Sequence, residues 1–153
     1  MILRNRIEVM HGVNLDQLGR RDPAHYGTLT LGELQMRITE YAGELGLSVS
    51  FFQTNDEHEL VERLHRGNEV ADAIVINAGA WTHYAWSLHD ALELAGLPAV
   101  EVHLSDVMAR EPWRHVSVFE GVRLGVVSGR GAEGYRDALA MLAAHQRAEE
   151  SAS

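Results

Sequence analysis

Short apolar runs alternate along this chain with longer amphipathic ones, and that alternation restricts the fold more than any other feature. The strand candidates are residues 6–10, 48–53, 73–76, 99–103 and 123–128. The helix candidates are 30–45, 57–70, 84–95 and 132–147, and in the first of these Leu31, Leu34, Ile38, Tyr41 and Leu45 recur at helical spacing. Gly46 ends the first helix; Gly96 and then Pro98 end the third. Strands alternating with helices imply a parallel sheet covered by helices on both faces. With five strands, the expected fold is a flavodoxin-like, doubly wound α/β sheet of order 2-1-3-4-5. The whole chain, 1–153, reads as one domain with a polar C-terminal tail from about 147 that is expected to fray.

In such sheets ligands bind at the carboxyl ends of the strands. Three strand candidates release polar residues there. One ends in His11-Gly12-Val13-Asn14, one in Asn77-Ala78-Gly79-Ala80-Trp81-Thr82-His83, and one in Glu101-Val102-His103-Leu104-Ser105-Asp106, with Arg110, Arg114 and His115 following. A carboxylate, an imidazole, a hydroxyl and two guanidinium groups at one strand end are poorly explained by folding alone. The segment 16–29, which joins the first strand to the first helix, is far longer than the ~2–6 residues usual for such a connection. It carries Gly19-Arg20-Arg21-Asp22-Pro23 and Tyr26-Gly27, and reads as a lid over the binding edge.

Composition removes whole classes of function. The net charge of −9 argues against nucleic acid, whose phosphates need a basic face. All 13 basic residues are arginines, so a Schiff-base enzyme, a P-loop nucleotidase and a receiver domain, each dependent on lysine, are excluded. There is no cysteine, hence no disulfide framework or thiolate site. No apolar run approaches the ~20 residues of a membrane span, and the first residues lack a long apolar signal segment, so no membrane association and a cytoplasmic address are expected.

Of the nine histidines, His83 and His103 stand out because both fall just past strand ends; His25, His58, His65, His89 and His145 read as surface or helix residues. No metal-ligand spacing appears, and no metal is expected. Arg110 and Arg114, four apart, point to one side and to an anionic substrate, since guanidinium matches carboxylate in a bidentate fork. Tyr26 beside Arg21 is a candidate base, because nearby cations favour a phenolate. Gly129-Arg130-Gly131 fits a tight turn better than a phosphate cradle.

From about Ile7 to Leu142 the chain resembles the type II 3-dehydroquinate dehydratases of the shikimate and quinate pathways. The resemblance rests on Gly12-Val13-Asn14-Leu15, Leu18-Gly19-Arg20-Arg21-Asp22-Pro23, Tyr26-Gly27, Asn77-Ala78-Gly79-Ala80, Thr82-His83, Glu101-Val102-His103-Leu104-Ser105, Arg110-Glu111, Arg114-His115 and 129–135. It implies anti elimination of water from 3-dehydroquinate, a small anionic cyclic substrate, through an enolate and without cofactor. It also implies a homo-oligomer, a dodecamer built as a tetramer of trimers. Carried over by position, Tyr26 is the base and Arg21 the lid arginine that activates it, with Arg110 close by. Asn14 orients the water at the enolate, and His103, positioned by Glu101, is the general acid. Asn77, Ser105 and the backbone of Leu104 and Ser105 form the carboxylate site. His83 and Arg114 bind ring hydroxyls, with Asp90 reaching in from a neighbouring subunit.

The chain departs from the family pattern at four places. It has His11-Gly12-Val13-Asn14 for Asn-Gly-Pro-Asn, and Thr82-His83-Tyr84-Ala85 (then Trp86) for Thr-His-Thr-Ser. It has Asp106 for Asn after Ser105, and Pro112-Trp113 for Glu-Phe. These changes leave open a paralogue acting on an amino analogue or another cyclic β-hydroxy ketone. A noncatalytic flavodoxin-like module is the remaining alternative. Against it, the first strand end lacks both the acidic residues of a receiver and the phosphate loop of a flavin site.

Overall fold

The computed structural model describes residues 4–152. Its five strands, β1 (Arg6–His11), β2 (Ser48–Gln53), β3 (Ala73–Asn77), β4 (Ala99–His103) and β5 (Gly125–Ser128), form one sheet of order β2-β1-β3-β4-β5. Every pairing is parallel, and Met10 sits level with Ile76, which in turn sits level with Glu101. The helices are α1 (Pro23–Tyr26), α2 (Leu31–Glu44), α3 (Glu57–His65), α4 (Gly67–Val70), α5 (Trp86–Ala95) and α6 (Glu133–Ala152).

Both faces of the three central strands are buried because alternate strand residues serve opposite cores. Ile7, Val9, Val75, Val100 and Val102 pack with Leu34 and Ile38 of α2 and Leu139 and Leu142 of α6. Met10, Ile74 and Ile76 pack with Leu60 and Leu64 of α3 and Leu88 and Leu92 of α5. Two carboxylates, Glu8 and Glu101, are buried on this second face. Glu8 is fully enclosed and accepts hydrogen bonds from Arg63 Nε and Nη2 at 2.6 and 2.7 Å.

Several boundaries differ from the sequence expectation for local reasons. The 57–70 stretch breaks at Arg66, because Gly67 packs against Ala95 and Leu97. The tail expected to fray from 147 instead continues α6 to Ala152, helped by an i,i+4 pairing of His145 with Glu149 at 3.9 Å. The connection 16–29 is not structureless either. It holds a 3₁₀ turn at Leu15–Gln17 and the short α1, capped by the Asp22 side chain on Ala24 N–H. Thr30 and Glu33 then start α2 with reciprocal caps.

Beyond β1 the backbone runs so close to the end of β3 that a side chain on Gly12 would lie 2.5 Å from the Ala78 carbonyl oxygen. Gly12→Ala is therefore expected to lose about 1–3 kcal/mol of unfolding free energy, measured by urea denaturation. Unchanged stability would mean that the two strand ends are free to separate.

Candidate active site

At the carboxyl edge of the sheet a cleft is lined by residues from three strand ends and the segment 16–29. Arg21, Tyr26, Asn77, His83, His103, Leu104, Ser105, Arg110 and Arg114 all reach it. No aspartate or glutamate does, although the chain carries a net charge of −9. Three guanidinium groups and no carboxylate in the lining give the cleft a positive wall.

Tyr26, at the end of α1, is held by two cations. Its phenol oxygen accepts from Arg21 Nη2 and from Arg110 Nη1, each at 2.8 Å. The Arg21 guanidinium also lies over the ring, 3.7 Å from its centroid. Two guanidinium donors thus converge on one phenol oxygen. Arg110 Nη1 donates as well to Ser105 Oγ at 3.1 Å, tying the Tyr26 segment to the end of β4.

The opposite wall is an imidazole pair. His103 and His83 stack at 6.0 Å with rings 22° apart. His83 Nδ1 bonds the Val116 carbonyl at 2.6 Å, and burial lowers the pKa of the ring, so neutral His83 presents Nε2 to the cleft. His103 Nε2 makes a short hydrogen bond to Glu101 Oε2, which leaves Nδ1 for the cleft that His103 lines. Glu101 itself lies behind His103, outside the cleft, and is 1% exposed. Burial pushes its carboxyl pKa up, but hydrogen bonds from His103, Ser117 and Arg123 outweigh this and hold it below the ordinary value. Arg114 sits at the rim, bonded to Glu111 at 3.1 Å.

The floor is organised by a buried polar chain. Asn77 Oδ1 accepts Gly79 N–H at 3.2 Å, and its Nδ2 donates to Tyr135 Oη at 3.1 Å. The Tyr135 oxygen meets His11 Nε2 at 2.8 Å. Burial raises the Tyr135 pKa, so it remains a phenol. Gly79 has φ of +63°, and a side chain there would meet the Val13 carbonyl at 2.6 Å, so this turn needs glycine. Gly129 and Gly131 N–H groups donate to the carbonyls of Ser105 and Leu104 at 3.0 and 3.1 Å, which makes that loop a clamp on the end of β4 rather than a phosphate cradle.

With this geometry, the comparisons with known proteins agree. The family described as dehydroquinase class II matches residues 5–143. The chain belongs to that family. It is 50% identical over 140 residues to the 3-dehydroquinate dehydratase of Syntrophotalea carbinolica, covering 91% of this chain and 93% of that protein. The 3-dehydroquinate dehydratase of Pelobacter propionicus is 49% identical over 142 residues, covering 92% and 94%. The crystal structure of the type II dehydroquinase from Propionibacterium acnes superposes with a TM-score of 0.86 at 41% identity, covering 92% of this chain and 97% of that one.

In this dehydroquinase the departures from the family pattern do not reach the cleft. Asp106 turns away and accepts Met108 N–H at 3.2 Å, capping the next turn. Tyr84 and Trp86 are exposed, as is Trp113, and none lines the cleft. His11 is enclosed below it. Two other residues singled out from the sequence stand apart. Asn14 is exposed just past β1 in the left-handed region, φ 67°, with its N–H held by Asn55 Oδ1 at 2.8 Å. Asp90 is exposed on α5, away from the cleft of its own chain. Among the described residues no cluster of three or more His, Asp or Glu is placed to hold a metal ion, and no helix is long and apolar enough to cross a membrane.

Sequence reading gave no role to Asn55, Ser117, Arg123 or Tyr135. Ser117 and Arg123 reach Glu101 from 16 and 22 residues away, and Tyr135 meets His11 across 124, so no local spacing announces them. Tyr135 alone had a signal, as the last residue of a matched segment.

Burial lowers the His11 pKa from 6.5 to about 4. Above pH 6.5 the ring is neutral in folded and unfolded chains alike. Below it the unfolded chain binds a proton that the folded one refuses until about pH 4. Stability is thus expected to fall by about 3 kcal/mol as pH drops through that window. Urea titrations across it check this, and His11→Asn should flatten the slope.

Proposed function

We propose that this chain is a 3-dehydroquinate dehydratase, a cofactor-free hydro-lyase of the shikimate pathway that converts 3-dehydroquinate to 3-dehydroshikimate and water. The observation that carries this reading is the Tyr26 oxygen held between Arg21 and Arg110, in the same carboxylate-free cleft as a histidine backed by buried Glu101. A phenol oxygen between two guanidinium groups is placed as the base, and an imidazole backed by a carboxylate as the acid.

The Tyr26 phenolate removes the C2 proton of the substrate, and the electron pair moves into an enolate. The enolate then collapses: its electron pair forms the C1–C2 double bond, the C1–O bond breaks on the opposite ring face, and the departing hydroxyl takes the proton of His103 Nδ1 to leave as water. Glu101 holds Nε2–H throughout, so His103 finishes as the neutral tautomer. Base and acid on opposite faces make the elimination anti, each worth ~10²–10⁴ in rate. Asn77, Ser105 Oγ and the N–H groups of Leu104 and Ser105 receive the substrate carboxylate, while His83 and Arg114 take the ring hydroxyls. Asn14, outside the cleft lining, acts on the enolate oxygen through a water. Asp90 serves the cleft of a neighbouring subunit in a dodecamer assembled as a tetramer of trimers. The exposed Tyr84, Trp86, Trp113 and Val116 are apolar surface available for that assembly. The cytoplasm is the proposed compartment.

Tyr26→Phe should lower kcat for 3-dehydroquinate by at least ~10²-fold while leaving ligand binding intact, followed by ultraviolet absorbance of the enone and by calorimetry. Near-parental turnover in that variant would remove Tyr26 as the base. Light scattering tests the assembly. A dodecamer that persists in Asp90→Ala with a raised KM supports the shared site, and a monomer with full activity refutes it.

A further inference from the structure

Glu101 has two carboxylate oxygens and three partners. Oε2 faces His103 Nε2; Oε1 accepts from Ser117 Oγ at 2.7 Å and from Arg123 Nη1 at 2.6 Å. Arg123 stands two residues ahead of β5, its side chain 19% exposed, and sends its guanidinium inward to the back of β4. Nothing in the elimination as drawn above uses it. A fully buried carboxylate facing only an imidazolium would hold that ring's proton tightly, and a general acid must release its proton.

We propose that Arg123 is a positioning residue that divides the charge of Glu101, so that His103 is oriented by the carboxylate yet remains a strong enough acid to protonate the leaving hydroxyl. The inference rests on His103 being the acid. The row Arg123, Glu101, His103 alternates cation, anion, cation, and the distal cation disfavours the proximal one. The other charged or titratable groups around His103 are His83 on the 3₁₀ turn Gly79–His83, Arg114 and His115 on the turn Pro112–His115, Glu120 beyond it, and Arg21, Tyr26 and Arg110 across the cleft. Of these groups, Arg123 is the one hydrogen-bonded to the carboxylate that orients the acid. Ser117 completes the hold on Oε1 without adding charge, so geometry and charge are supplied by separate residues and can be separated experimentally.

The test is the pH profile of kcat for 3-dehydroquinate in the assembled enzyme, with Arg123→Gln, Arg123→Lys and Ser117→Ala. Arg123→Gln keeps a donor and loses the charge. It should lower kcat by about 10- to 100-fold with KM nearly constant, and move the alkaline limb of kcat to higher pH by about half a unit or more. Arg123→Lys keeps the charge and should leave that limb in place, as should Ser117→Ala. A glutamine variant whose kcat and alkaline limb match the parent overturns the proposal. So does a lysine variant that loses ~10-fold or more in kcat relative to the parent with its alkaline limb moved up by about half a unit, and this arm needs only the lysine variant and the parent. Failure of the underlying reading looks different. There, His103→Gln retains the parental kcat, or the parent itself does not turn over 3-dehydroquinate.

Discussion

Parallel pairing of β1 with β3 and of β3 with β4 decides where all the chemistry of this protein lies. Because the three strands run the same way in near-level register, their last residues, His11, Asn77 and His103, arrive together at one edge. Hydrophobic burial on both faces fixes that register, since a slip of one residue would send Val9 and Val75 into the wrong layer and bring Glu8 out from under Arg63. The edge is then drawn tight by backbone contact, where Gly12 N–H donates to the Asn77 carbonyl at 2.8 Å.

On that frame the site separates two electrostatic tasks. The cleft wall carries three arginines and no carboxylate, which suits an anionic ligand and keeps the Tyr26 oxygen between two cations. The one carboxylate needed for the histidine is placed behind it, out of reach of the ligand, where Ser117 and Arg123 satisfy its second oxygen. A carboxylate in the cleft itself would repel the ligand. Buried behind His103 it acts on the imidazole without doing so. Beneath the floor, Tyr135 links Asn77 to His11, so the substitution at position 11 alters the support of the site and leaves its lining unchanged.

Much of this was legible in the sequence. The strand periods and their order, the polar strand ends and the long segment 16–29 are local patterns, and the fold follows them. The boundaries moved where tertiary contact overrode local preference. β5 begins at Gly125 rather than 123, because Arg123 is drawn to Glu101 and Leu124 N–H to the Ala99 carbonyl at 2.7 Å. Asp106 follows Ser105 directly in the chain, yet its side chain turns from the cleft and caps the turn that follows.

The sequence by itself determined the layer architecture, the strand order, the family and the polar strand ends at the sheet edge. Each of these depends on apolar period, turn residues or short motifs, all of which are local in the chain. Only the tertiary structure decided which groups meet. It placed Arg110 with Arg21 on the Tyr26 oxygen, put Ser117 and Arg123 on Glu101, and made His11 a buried neutral partner of Tyr135. Those contacts join residues far apart in sequence through hydrogen bonds of fixed length and direction, and a linear pattern carries no record of which distant donor will face a given acceptor.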